Sequence, residues 1–144
     1  MEELPHTYSV AVCASPEEPV CVTAEDVPEL VVAPPKQFGG SGDQWSPEEL
    51  QMSALASCFV MSFRAIAKYN ELDWSKLQVA ADGQLDKVER KMKFTAMTLT
   101  AQLTIGAEED ADKARRLLQK SEESCFISNS LNCEVHLDSE VISG

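Results

Sequence analysis

Residues 45–70 read WSPEELQMSALASCFVMSFRAIAKYN and predict one long helix. Ser46 suits the N-cap, and Pro47 suits the first helical position. Glu49 completes a Ser-x-x-Glu capping box, in which the two side chains satisfy free N–H groups of the first turn. The predicted helix therefore starts at Pro47 and runs to about Tyr69.

The first half of this helix carries almost no charge. Residues 50–63 include no Asp, Glu, Lys or Arg, and their apolar side chains lie all round the helix instead of in one stripe. Such a helix is typically central and covered on most sides. One small domain can hardly cover it alone, so we expect a partner subunit to supply part of the cover. The apolar run 52–67 contains Arg64 and is too short to span a bilayer.

The composition predicts a soluble globular protein. The 144 residues, 44% of them hydrophobic, suffice for a single domain, 1–144, with its own core. The net charge is −12 and no basic run exists, so neither nucleic acid nor an anionic membrane is an expected partner. The N-terminus lacks the basic and apolar segments of a signal peptide, and we expect a cytoplasmic protein.

The cysteine pattern argues against a disulfide framework or a zinc site. The count is odd, no Cys-x-x-Cys pair occurs, and the two histidines lack zinc-site spacing. A metal site assembled from distant residues is the alternative, but we expect no metal and no bound cofactor. Three of the cysteines fall on predicted strands and are interpreted as structural. The five are Cys13, Cys21, Cys58, Cys125 and Cys133.

Alternating polar and apolar residues predict strands on both sides of the helix. A polar stretch, 86–93, is interpreted as a hairpin connection, and Asp82-Gly83 as an interruption of the strand before it. A second, amphipathic helix follows at 107–123. The predicted strands are 8–12, 20–23, perhaps 29–33, then 77–85, 97–105 and 133–141. The element order is β-β-(β)-α-β-β-α-β, which indicates an α+β fold.

Four short motifs carry a family resemblance. They are Phe38-Gly39-Gly40, the Trp45-Ser46-Pro47-Glu48-Glu49-Leu50 helix start, Ala54-Leu55-Ala56-Ser57-Cys58-Phe59, and Cys125-Phe126-Ile127-Ser128-Asn129. Together with the element order, they resemble the OsmC/Ohr family of osmotically inducible and organic hydroperoxide resistance proteins. The resemblance implies an intertwined homodimer, with sheets of both subunits wrapped around two central helices.

The resemblance also implies a chemistry, the metal-free reduction of organic hydroperoxides. Cys58 would be the peroxidatic nucleophile and Cys125 the thiol that resolves its sulfenic acid into a disulfide. A lipoyl-type dithiol or a thiol protein would reopen that disulfide. Glu48 would pair with an arginine that contacts the reactive thiol.

Physical chemistry bears on this implied site. The thiolate is the competent nucleophile, and a nearby thiol protects a sulfenic acid from over-oxidation. Apolar burial raises a thiol's pKa, so a cationic group is needed to lower it. Glu48 precedes Cys58 by ten residues, about 15 Å along an ideal helix, so the two cannot touch directly.

The chain departs from the family pattern because it has no arginine before Arg64. Lys36, Arg64 or Arg90 could substitute. The alternative function is therefore a stress-response, binding or redox-sensing protein of the same fold with weak or no peroxidase activity. The residues also have plainer readings, because Cys58 and Cys125 could simply pack in a core and Glu48 could favour the helix dipole.

Overall fold

The computed structural model describes all residues from Met1 to Gly144. It confirms a mixed α+β architecture with two sheets. The chain divides into two compact units, Met1–Leu50 and Gln51–Gly144. The elements are β1 (Ala11–Cys13), β2 (Val20–Thr23), β3 (Leu30–Val32), α1 (Pro47–Tyr69), β4 (Trp74–Val88), β5 (Lys91–Ile105), α2 (Ala111–Glu123), α3 (Phe126–Asn129) and β6 (Glu134–Ser143).

The first unit contains a three-stranded antiparallel sheet in the order β1-β2-β3. The third strand, tentative in the sequence, is present. Strand β1 is shorter than predicted, because residues 8–10 have no partner strand and their backbone forms no ladder. Tyr8 and Val10 are exposed accordingly. Alternation alone predicted this segment, but a strand also requires a neighbour to bond.

The Phe38-Gly39-Gly40 motif forms a tight connection before the helix. Gly39 has φ of +87°, a left-handed conformation that glycine adopts without strain. A Cβ at Gly40 would overlap the carbonyl oxygen of Pro34. The two glycines therefore serve backbone geometry at this turn.

The start of α1 is the predicted capping box. The Glu49 N–H donates to Ser46 Oγ at 3.1 Å, and the Ser46 N–H donates to Glu49 Oε1 at 3.2 Å. Ser46 is fully buried. The helix ends at Tyr69 as predicted, where the Asn70 side chain donates to the Ile66 carbonyl at 2.8 Å.

The second unit contains a sheet in the order β4-β5-β6, with β5 at its centre. Strand β4 pairs antiparallel to β5, whereas β6 pairs parallel to it and returns through the helical segment between them. Because side chains alternate along a strand, one face of β5 is buried while the other is polar. The buried residues of β5 are Met97, Leu99, Ala101, Leu103 and Ile105.

The predicted hairpin between β4 and β5 is confirmed, but its connection is much shorter than 86–93. Strands β4 and β5 continue through these polar residues, with Val88 opposite Lys91. Only Glu89 and Arg90 form the turn, with φ of 50° and 71°. Positive φ at both central residues matches the twist of an antiparallel pair, so the hairpin closes with two residues. Polar side chains are compatible with strands here because both faces of the hairpin tip are exposed.

The predicted interruption at Asp82-Gly83 was wrong, because β4 is continuous there. A Cβ at Gly83 would lie within 2.7 Å of Met52 Sδ and 2.9 Å of the Phe94 ring. The glycine thus permits a close approach between α1 and the sheet rather than a break. An irregularity in the β4–β5 register does occur, but between Gln84 and Leu85.

One hydrophobic core joins the sheet to the helices of the second unit. The stripe of α1 that enters it is fully buried and consists of Leu55, Phe59, Phe63 and Ala67. Phe63 contacts Trp74 edge-to-face, with ring centroids 5.3 Å apart. Helix α2 contributes its own apolar stripe, including Leu117 and Leu118.

The rest of α1 is less covered than its composition predicts. Met61 is 63% exposed and Tyr69 is 88% exposed within one chain. By length and composition this 23-residue helix could cross a membrane, which corrects the expectation from the shorter apolar run. Core helices of soluble proteins share these properties, and the buried stripe of α1 packs in a protein core.

Candidate active site

Cys58 lies near the middle of α1, and its side chain is half-buried. It packs against the edge of the hydrophobic core, next in sequence to the fully buried Phe59. Its position on the helix follows from the 3.6-residue period, which turns Cys58 away from the buried stripe. The thiol is thus carried by a helix with one fully buried stripe, and it is only half-buried itself.

Cys125 is fully buried and precedes a short helix that the sequence did not predict. Its backbone is extended, with φ of −69° and ψ of 118°, as is usual for a residue that caps a helix. The Ser128 N–H donates to Cys125 Sγ at 3.5 Å. The sulfur therefore occupies the place of an N-cap oxygen at the start of α3.

The Ser128-Asn129 part of the motif attaches α3 to the end of α2. Ser128 Oγ donates to the Glu122 carboxylate at 2.7 Å, and the Asn129 side chain donates to the Glu123 carbonyl at 3.2 Å. These bonds fix the turn that carries Cys125. Cys125, Ser128 and Asn129 thus act as one structural unit.

The structure brings Cys58 and Cys125 together. The Cys125 thiol and the backbone N–H groups of Ile127 and Phe126 lie near enough to the Cys58 thiol to act on its pKa. Burial acts to raise the pKa of the Cys58 thiol, but these N–H groups, the Cys125 thiol and the Ser62 hydroxyl together lower that pKa below its ordinary value. Hydrogen bonds to the charged form of a group favour that form.

The pKa of Cys125 moves the opposite way. Burial, the hydrogen bond to Cys58 and the negative charge of Cys58 raise the pKa of Cys125 to about 11. The N–H groups of Ser128 and Ile127 oppose this rise only in part. The pKa of one thiol of the pair is thus lowered, while the pKa of its neighbour is raised.

Three groups of this site escaped the sequence analysis. The N–H groups of Phe126 and Ile127 belong to the backbone, and no side-chain pattern reports them. Ser62 could have been found, because it follows Cys58 by four residues and therefore lies on the same helix face.

Glu48 lies in the first turn of α1, within the first compact unit. Its carboxylate oxygen Oε2 is buried and has no hydrogen-bond partner. A buried carboxylate oxygen is costly when unpaired, and ordinarily a cation or a donor satisfies it. The role predicted for Glu48 stays a prediction.

None of the three basic side chains suggested as substitutes forms an ion pair. Lys36 and Arg64 are exposed, and Arg90 forms the exposed β4–β5 turn. The ion pairs present are Arg115 with Asp112 and His136 with Asp138, both on the surface. No group of three His, Cys, Asp or Glu side chains has an arrangement that could hold a metal ion.

Residues 40–140 match the family model described as OsmC-like protein. This chain belongs to the OsmC-like family. A relative, peroxiredoxin OsmC of Escherichia coli (strain K12), is 29% identical over 98 residues, which cover 68% of each chain.

Solved structures of OsmC-like proteins share the fold. An OsmC-like protein of unknown function from Vibrio cholerae superimposes with a TM-score of 0.87 at 18% identity, covering 94% of this chain and 100% of its own. An organic hydroperoxide resistance protein from Elizabethkingia anophelis gives a TM-score of 0.78 at 20% identity, covering 99% and 100%. The predicted OsmC-like fold is therefore confirmed.

Proposed function

We propose that this OsmC-like protein is a metal-free, thiol-dependent peroxidase that reduces organic hydroperoxides through Cys58 and Cys125. The observation that carries the proposal is the contact between two free thiols whose pKa values move in opposite directions. A peroxidatic thiol must ionise before it attacks, whereas a resolving thiol must lie beside it and attack only after the sulfenic acid has formed.

In the first step, the Cys58 thiolate attacks the distal oxygen of the hydroperoxide. The O–O bond breaks, the alkoxide takes up a proton and leaves as an alcohol, and Cys58 becomes a sulfenic acid. The N–H groups of Phe126 and Ile127 would stabilise the attacking thiolate in place of the family's arginine. Glu48 would orient whichever cation assists the site.

In the second step, Cys125 attacks the sulfenic sulfur and water leaves, so a Cys58–Cys125 disulfide forms. The mutual influence of the two thiols on their pKa values supports this step, because a disulfide requires the two cysteines to be neighbours. An external dithiol, of the lipoyl type or on a thiol protein, then exchanges with this disulfide. It leaves oxidised and returns both cysteines to thiols.

Two observations favour an organic substrate. The names of similar proteins refer to organic hydroperoxide resistance and to a peroxiredoxin. Phe126, directly after Cys125, is 80% exposed, and its backbone N–H acts on the Cys58 thiol. An exposed aromatic ring offers apolar contact to the organic part of a hydroperoxide, which hydrogen peroxide lacks.

The proposal includes an intertwined homodimer in the cytoplasm. The exposed face of α1, with Met61 and Tyr69, supports a partner subunit because one chain leaves these apolar side chains uncovered. The free thiols fit the reducing conditions of the cytoplasm. Size-exclusion chromatography with light scattering tests the dimer.

The decisive experiment measures steady-state consumption of an aryl hydroperoxide with a lipoyl-type dithiol. Wild type is compared with Cys58→Ser, Cys125→Ser and the matched control Cys133→Ser, in which a half-buried cysteine outside the pair is changed. Turnover should be lost in the first two variants and retained in the third. A correctly folded wild type that consumes no hydroperoxide would remove the peroxidase assignment.

A redox sensor is the second candidate, and the unpaired Glu48 oxygen favours it. Without a cation, the site could oxidise yet recycle too slowly for turnover. A sensor would form one Cys58–Cys125 disulfide per chain on exposure to hydroperoxide and then stop, even with dithiol in excess. A single stoichiometric burst of hydroperoxide consumption distinguishes it from an enzyme.

A further inference from the structure

A second pair of cysteines meets in the first compact unit. Strands β1 and β2 pair antiparallel, and Cys13 lies directly opposite Cys21 in their register. Opposite residues of an antiparallel pair project their side chains from the same face of the sheet. The two sulfurs are close enough for the charge of one to act on the other.

The spacing of such a pair suits a disulfide. Residues directly opposite in antiparallel strands have Cα atoms about 4.5–5.5 Å apart. Disulfides bridge Cα atoms about 4.4–6.8 Å apart. The register therefore places Cys13 and Cys21 within bonding range without movement of the backbone. Neither sulfur is bonded to another, and both residues are free thiols.

The surroundings of the two thiols differ. Cys13 is exposed on the edge strand, so a small molecule can reach it. Cys21 is half-buried, and its thiol donates to the Pro19 carbonyl at 3.9 Å. Burial, the neighbouring Glu29 carboxylate and the charge of Glu18 raise the pKa of Cys21. Cys13 is thus the accessible thiol, which reacts first, and Cys21 is the thiol that reacts second.

We infer that Cys13 and Cys21 form a second dithiol–disulfide site that exchanges with low-molecular-weight disulfides of the glutathione class. The site is separate from the proposed peroxidase chemistry, because it uses neither Cys58 nor Cys125. Oxidation would tie the three-residue edge strand β1 covalently to β2 and close the turn 14–19. This assigns a redox role to two cysteines that the sequence led us to interpret as structural.

The exchange proceeds in two balanced steps. The Cys13 thiolate attacks a small disulfide, forms a mixed disulfide and releases one small thiol. Cys21 then loses its proton and attacks the Cys13 sulfur, which releases the second small thiol and leaves the Cys13–Cys21 disulfide. The two cysteines give up two electrons and two protons, and the small disulfide is reduced to two thiols.

The sequence provides a direct way to map this bond. No lysine or arginine precedes Lys36, so trypsin leaves both cysteines on one peptide. A protease that cuts after glutamate separates them, because Glu17 lies between Cys13 and Cys21. After such a digest, the two cysteine peptides remain joined only if the disulfide has formed.

The experiment incubates protein with oxidised glutathione, blocks the remaining thiols by alkylation and maps the peptides by mass spectrometry. It uses wild type and a Cys58→Ser/Cys125→Ser/Cys133→Ser variant, which retains only the second pair. In both, the two peptides should be joined, with a mass two hydrogens below that of the separate thiol peptides. Because the triple variant lacks the peroxidatic and resolving thiols, its result does not depend on the proposed peroxidase.

Single variants complete the test. Cys21→Ser should hold a persistent glutathione adduct on Cys13, because the second attack is lost. The yield of the bond in wild type should be independent of protein concentration, as expected for a bond within one chain. A lasting glutathione adduct on Cys13 of wild type would overturn the inference. Cross-linking only between chains, seen on a non-reducing gel, would overturn it as well.

Discussion

The two cysteine pairs of this protein reach contact by opposite routes. Cys13 and Cys21 meet because two neighbouring strands of one hairpin pair in register. Cys58 and Cys125 come from α1 and the start of α3, which are far apart in the sequence and meet only in the folded second unit. Local geometry produces the first pair, and tertiary packing produces the second.

The difference shows how surroundings assign roles to chemically equal thiols. Backbone N–H groups and a donating thiol surround Cys58 and lower its pKa despite burial. Carboxylates stand beside Cys21 and, with burial, raise its pKa. A lowered pKa suits the thiol that attacks first, whereas a raised pKa suits a thiol that stays protonated until the second step. The four predictions below test this contrast.

The largest effect is expected from removing the nucleophile of the buried pair. Cys58→Ser should reduce hydroperoxide consumption to the rate measured without protein, because a hydroxyl at this position is not ionised at neutral pH. Cys13→Ser and Cys21→Ser should retain wild-type turnover in the same assay. Loss of turnover in Cys13→Ser or Cys21→Ser would show that this pair takes part in hydroperoxide reduction, contrary to the proposal.

The second prediction concerns the donor beside Cys58. Cys125→Ala removes one of the groups that lower the pKa of Cys58, so that pKa should rise. The pH profile of Cys58 alkylation by a small iodoacetamide, followed by peptide mapping, measures this shift. A higher pKa means less thiolate at a given pH, so the profile moves toward higher pH.

Cys125→Ser is the matched control for that change, since its hydroxyl can still donate. Its Cys58 profile should lie nearer to wild type than the alanine variant does. Identical profiles for serine and alanine would show that the Cys125 side chain does not stabilise the Cys58 thiolate.

A smaller shift is expected from Ser62→Ala. The Ser62 hydroxyl is the weakest of the groups that lower the pKa of Cys58, so its loss should raise that pKa less than the loss of the Cys125 thiol does. Ser57→Ala is the control, because the Ser57 hydroxyl donates to the Ser53 carbonyl within the helix at 2.6 Å. Equal alkylation profiles for the two variants would show that the Ser62 hydroxyl does not stabilise the Cys58 thiolate.

The smallest effect concerns the hairpin pair. Glu29→Gln removes a negative charge beside Cys21, which lowers the pKa of Cys21 and should speed closure of the Cys13–Cys21 disulfide. The gain at neutral pH should be only about twofold, since exposed charges are screened by solvent and salt. Decay of the glutathione adduct on Cys13 measures the rate, and Glu25→Gln serves as the control. Slower disulfide closure in Glu29→Gln would contradict the expected effect of the Glu29 charge on Cys21.

Several features of the fold could be predicted from local patterns. The Ser46–Glu49 capping box and the end of α1 at Tyr69 follow from short-range signals, and both are confirmed. The hairpin tip at Glu89-Arg90 could not be placed, because polar residues are compatible with both strand and loop when both faces are exposed. Gly83 was misinterpreted as a break in the strand. A glycine is needed there because Met52 approaches closely, and this is a tertiary contact that the local sequence does not show.

The sequence by itself determined the central helix, the alternating strands and the thiols that these elements carry, because helix and strand periods are encoded within a few residues. Only the tertiary structure decided which thiols meet and which ionises more readily. The N–H groups that face Cys58 belong to a turn whose position depends on the packing of α3 against the rest of the second unit. Such contacts leave no periodic trace in the sequence, since they join residues whose separation along the chain is large.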